Sequence, residues 1–130
     1  MDKFEMQRRM MKLTLDVIKL TKILPISQES KVISYQIIRC TSSTAANYRA
    51  ACRVKSTRDF IAKMGIVEEE SDETVFWLEL IIASGLVNEE LVAPILKEAN
   101  EIVAMTVRSL ITAKENLKKL NQTPNKPETN

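Results

Sequence analysis

Two glycines, Gly65 and Gly85, and four prolines are the whole stock of turn-forming residues with special backbone in this chain of 130 residues. A sandwich or barrel of this length reverses direction every ~8–12 residues and usually spends glycine and proline at those reversals. So small a stock argues against an all-β fold and for a few long helices. The chain is 45% hydrophobic and 28% charged, apolar enough to bury one core, and its length suits one domain. Histidine is absent. That removes His-based acid–base catalysis, Ser-His-Asp and Cys-His nucleophiles, and di-iron sites built on Glu-x-x-His. Binding without catalysis is the leading expectation: a non-enzyme with no catalytic set, no metal and no cofactor.

The apolar residues recur with the helical period and predict four helices, about 4–24, 28–54, 57–84 and 89–120. In the first, Met6, Met10, Leu13, Val17, Leu20 and Leu24 alternate in steps of four and three. A second row of Met11, Leu15 and Ile18 widens that face enough to touch two neighbours. Pro25 stops the helix, since the residue before proline avoids the helical region. Ser27 is a good N-cap for the second helix, whose seam is Ile33, Ile37, Cys40, Thr44, Asn47, Ala51 and Val54. Residues 40–52 are nearly all small, and the expected use is close approach of helix axes. Ser56-Thr-Arg-Asp59 opens the third helix in the manner of a capping box. Its seam is Phe60, Met64, Val67, Ser71, Thr74, Leu78 and Ile81, and Gly85 ends it. Gly65 inside that helix predicts a second backbone passing close by. The fourth helix carries Val92, Leu96, Ala99, Val103, Thr106, Leu110, Ala113, Leu117 and Leu120, with a break or kink expected at Pro94. Short connections make sequence neighbours antiparallel. The predicted fold is all-α, an antiparallel up-and-down four-helix bundle over 1–120, with a disordered tail over 121–130.

The first residues are too charged for a secretory signal, and the longest run without a charge is nine residues. A cytoplasmic location is expected. Cys40 and Cys52 are twelve positions apart on one predicted helix, ~18 Å at 1.5 Å per residue, too far for a disulfide.

Charge is segregated beneath a net of +2. Residues 31–63 hold seven Lys/Arg and one Asp, whereas 64–101 hold ten Asp/Glu and one Lys. Antiparallel pairing of the second and third helices levels Arg39 with Asp72 and Glu73. This predicts structural ion pairs among Arg39, Glu69, Asp72 and Glu73. The basic residues around the second turn, Arg49, Arg53, Lys55, Arg58 and Lys63, with Tyr48 nearby, are candidate phosphate contacts for RNA or another nucleic acid. The rival reading is a solvated turn or pairing with another subunit's acids. Trp77, in the most apolar part of the third helix, reads as core or interface. An alternative chemistry uses the carboxylates. All-α nucleoside-triphosphate pyrophosphohydrolases hold divalent metal with Glu-Glu-x-x-Glu and a later Glu-x-x-Asp, and Glu69, Glu70, Glu73, Glu98 and Glu101 repeat that spacing loosely.

Gln36-Ile-Ile-Arg39, the Ala-Asn-Tyr-Arg-Ala-Ala run at 46–51 and the Val-Glu-Glu-Glu-x-Asp-Glu run at 67–73, followed by Trp77, closely resemble a bacterial four-helix-bundle family. Members are encoded, among other places, in intervening sequences of 23S ribosomal RNA genes. The resemblance spans about residues 4–115. Thr44 and Ala45 depart from it, standing where Val or Ile followed by Gly or Pro is usual. It implies a bundle assembling as a ring-like homopentamer, akin to the accessory proteins of diversity-generating retroelements, which bind nucleic acid and a reverse transcriptase. It implies no catalytic site. A protein-interaction scaffold serving such a partner enzyme is the second functional expectation.

Overall fold

The computed structural model describes residues 1–122. Four helices follow one another: α1 (Lys3–Ile23), α2 (Gln28–Ala51), α3 (Thr57–Ser84) and α4 (Glu89–Asn121). Each packs on its neighbours in sequence, and α1 meets α4 to close the ring of four. The fold is the expected all-α four-helix bundle.

Polar caps set the helix ends. The Asp2 carboxylate accepts from the amides of Phe4 and Glu5, both at 2.9 Å, and these bonds hold it below the usual carboxylate range. Ser27 accepts from Ser30 N and Ser56 from Asp59 N, each at 3.1 Å. Gly85 adopts φ 68°, the left-handed conformation that closes α3 and that other residues take only at a cost.

Three expectations about the helices need correction. First, α2 ends at Ala51, not near Val54. Bonds from Arg53 N to Ala50 O and from Val54 N to Ala51 O tighten the last turn and leave room for the extended cap at Ser56. Second, α4 runs through Pro94 without interruption. Third, nothing lies within 4 Å of where a Gly65 side chain would begin, so no second backbone crosses there. Asn121 is the last residue of α4, one beyond the approximate end expected, and Gln122 caps it. The rest of the predicted tail, 123–130, lies outside the described residues.

The core carries most of the predicted seams. All six of the α1 row are buried, as are Met64, Val67, Ser71, Thr74, Leu78 and Ile81 of α3. On α4 the buried stripe runs through Ile102, while Val103 is only half-buried and Leu120 is exposed. At ~1.5 Å per residue α4 is ~50 Å long against ~31 Å for α1, so its last turns outrun the shared core. Of the second row of α1, Ile18 is half-buried, while Met11 and Leu15 remain about half exposed.

A layer of buried hydroxyls joins three of the helices where small residues were expected to bring axes together. The Thr14 hydroxyl reaches the Thr41 carbonyl across α1 and α2 at 3.4 Å. Thr41 and Thr74 share a hydroxyl contact of 3.3 Å across α2 and α3, and Thr74 also donates to Glu70 O at 2.9 Å. Donation to a carbonyl one turn back satisfies a threonine hydroxyl without an external partner. Thr44 and Thr106 use the same device. Cys40 is buried beside Thr74, and burial pushes its thiol pKa up. Cys40 and Cys52 are both free thiols, as their separation on the helix requires.

Candidate nucleic-acid interface

The acidic segment resolves into two arginine clamps on different sides of the bundle. Between α2 and α3, Arg39 donates to Glu70 Oε2 at 3.1 Å and also to Glu73, while its Nε donates to Gln36 Oε1 at 3.1 Å. Trp77 Nε1 adds a bond to Glu73 Oε2 at 3.0 Å. That indole bond first, and the Arg39 guanidinium next, hold the Glu73 carboxyl below its ordinary range. The predicted partner Glu73 is therefore present, but Glu70 takes the place expected for Asp72. Glu70 and Glu73 are three residues apart and share the ridge facing α2. Glu69 and Asp72 are rotated away from that ridge, are exposed, and do not reach Arg39.

Sequence reasoning missed the second clamp. Arg9 of α1 donates to Glu98 Oε2 and Glu101 Oε2 on α4, both at 2.9 Å. Its hydrogen bond lowers the Glu98 carboxyl, and Glu98 in turn raises the guanidinium. An arginine with two carboxylates across a helix boundary leaves only its charge as a sequence signal, so partner and register could not be read. These clamps also place the carboxylates of the metal alternative. Glu70 and Glu73 are drawn to α2, while Glu98 and Glu101 are drawn to α1. Among the described residues the five carboxylates are not assembled into one cluster, and no group suited to a metal ion forms.

The basic residues do share one end of the molecule. Up-and-down topology puts the start of α1, the end of α2, the start of α3 and the end of α4 together. Residues 1–8, 48–67 and 103–122 make up this end and contain eleven Lys/Arg against four Asp/Glu. Arg49 and Arg53 line an open groove of about 740 Å³ between α1 and α2, together with Arg8. Lys55 lines a second cleft, between α3 and α4, together with Arg108. Arg58 and Lys63 lie on the first turns of α3, Arg58 exposed and Lys63 half-buried. The five predicted residues thus occupy one end but divide between two sides of the second turn. Arg8 and Arg108 join them only through the fold, being far away in sequence. Tyr48 is not available as a stacking surface. It is only 7% exposed, part of the core, and burial pushes its phenol pKa up. Phe4 instead supplies an exposed aromatic ring beside the α1–α2 groove.

Fold and charge define a small up-and-down helical bundle with one strongly basic end. The family described as 23S rRNA-intervening sequence protein matches residues 2–108, and the chain belongs to that family. Among solved structures, a protein of unknown function from the S23 ribosomal protein family of Bacteroides thetaiotaomicron is similar. It is 30% identical, with 85% of this chain and 98% of that chain covered and a TM-score of 0.76. No curated protein matches the sequence significantly. Among the described residues no helix is long and apolar enough to cross a membrane.

Proposed function

We propose that the protein is a non-enzymatic, cytoplasmic, RNA-binding bundle that contacts the phosphate backbone through its basic end. The observation that carries this reading is the gathering of four helix ends with eleven Lys/Arg against four acids. Four acids of the middle of the bundle are turned to partners there and not to this end: Glu70 and Glu73 pair with Arg39, and Glu98 and Glu101 with Arg9. Positive charge concentrated in this way favours a polyanion and needs no reading of sequence. DNA shares the phosphate chemistry and is the first competitor to test. The measurement is a binding isotherm on structured RNA as salt is raised. Affinity should fall steeply with salt, by a slope of roughly 0.7–0.9 per phosphate contact. The double charge reversal R49E/R53E should weaken binding and flatten that slope. Absence of binding at low salt overturns the proposal.

A self-associated form, a ring of five as the resemblance implies, is part of the same reading. Its support is a group of exposed apolar side chains at the other end of the bundle, Ile23, Ile26, Val32 and Tyr35, with Ile26 entirely uncovered. Burying such a group between subunits would leave the basic end open. The second reading, a scaffold for a partner enzyme such as a reverse transcriptase, rests on the same apolar group. Light scattering separates them, since the scaffold reading leaves that surface free in the isolated protein.

A further inference from the structure

The α1–α2 groove differs from the rest of the basic end because charge and apolar surface meet in it. Ala45, Ala46 and Ala50 line it on the α2 side, small residues that leave it open. Phe4 and Met11 of α1 border it and are 60% and 55% exposed. Arg8, Arg49 and Arg53 complete its rim. The Lys3 ammonium lies over the Phe4 ring, 5.4 Å from its centroid, a further positive charge that an incoming phosphate could draw off the ring. Two acids lie close in sequence: Asp2, whose carboxylate caps the amides that start α1, and the exposed Glu5 next to Phe4.

A duplex offers this groove only phosphates, because its bases are stacked inside. The exposed ring and the alanine side would then stay uncovered. A single strand offers both halves of the match: phosphates for the arginines and an unstacked base for the ring. We propose that the α1–α2 groove is a single-strand-binding site, in which a base stacks on Phe4 against Met11 and the flanking phosphates lie on Arg8, Arg49 and Arg53. The assignment rests on the nucleic-acid reading above and specifies the form of strand and the place where it is held. A groove of about 740 Å³ is within the size range of small-ligand sites, enough for a local nucleotide contact.

The test uses the full chain, a labelled oligouridylate and a duplex RNA of the same length, compared at one salt concentration. The single strand should bind more tightly. Phe4→Ala should weaken its binding by roughly five- to hundredfold, the loss of one base–aromatic stack, with duplex affinity and salt slope unchanged. Phe4→Leu keeps apolar bulk without the π-face and should behave like Phe4→Ala. Because Phe4 is mostly exposed, neither change endangers the fold. Arg8→Ala should instead lower the single-strand salt slope by about 0.7. Equal affinity for both forms, with Phe4→Ala silent, overturns the single-strand site while leaving the basic-end reading standing. A change in assembly mass in the Phe4 variants also overturns it, since the groove would then be a subunit contact. No binding of either RNA at low salt refutes the basic-end reading itself.

Discussion

Thr41 and Thr74 offer a test of the buried hydroxyl layer that does not depend on any ligand. Both are 1% exposed. Among the described contacts the Thr41 hydroxyl has one partner, Thr74 at 3.3 Å, whereas Thr74 also donates to Glu70 O. Thr74→Val conserves shape but leaves the Thr41 hydroxyl unpartnered in the core. Such a group costs about 1–3 kcal/mol, partly offset by the ~0.8 kcal/mol gained on burying a methyl in place of a hydroxyl. A net loss of about 1–2 kcal/mol is expected, or roughly 4 °C in Tm per kcal/mol for a chain of this size. Thr41→Val should cost less, because Thr74 keeps its bond to Glu70. The double variant removes both polar groups and should be more stable than Thr74→Val alone by about 1 kcal/mol. Urea unfolding followed by the fluorescence of Trp77, the single tryptophan, measures the cycle. Protein concentration must be held constant in case unfolding is coupled to dissociation. Thr106→Val is the control. Its hydroxyl bonds only to Ile102 O one turn back, so the change should stay within ~0.5 kcal/mol. Additive losses, with coupling below ~0.3 kcal/mol, would refute the account of a shared hydroxyl contact.

Gly65→Ala should stabilise the protein by about 0.5–1 kcal/mol in the same assay, because the position is helical and open. Gly85→Ala should destabilise it by about 1–2 kcal/mol, since φ 68° strains any residue with a Cβ. Glu98→Gln should lower stability by about 1 kcal/mol at neutral pH, a figure reduced for the partial exposure of its bond to Arg9. The pH dependence follows from depressed carboxyls, the capping Asp2 and the two arginine-clamped ones. Glu73 and Glu98 titrate lower in the folded chain than when unfolded, so their contribution is complete above the ordinary carboxylate value of 4.5. It is lost as pH falls below that value through their folded ones. Thermal melts between neutral and acid pH should show this loss, and Glu98→Gln should reduce its depth. An unchanged acid limb would remove Glu98 from the explanation.

Much of the fold was legible along the chain. Ser27 and Ser56 cap the helices they were expected to cap, Gly85 closes α3, and the α1 and α3 seams are buried nearly residue for residue. The candidate site was legible only in part. Arg49, Arg53, Lys55, Arg58 and Lys63 could be grouped because they flank one turn. Arg8 and Arg108 joined them only once α1 and α4 were brought alongside. Tyr48 is near the basic group in sequence, yet its position on α2 turns it into the core.

Helix length, capping and the apolar row are local properties, repeated every few residues, and one sequence contains all the information they need. How far each helix is rotated about its own axis against its neighbour is not local. It is decided by which rotation buries most apolar surface and satisfies the hydroxyls at the same time. That rotation put Glu70 rather than Asp72 against Arg39, gave Arg9 to Glu98 and Glu101, and left Gly65 with no neighbour. The shortage of glycine and proline determined that this chain would be a few long helices. Only their packing decided that four helix ends, with their excess of Lys/Arg, would meet at one place, and that an aromatic ring near the start of α1 would lie open beside them.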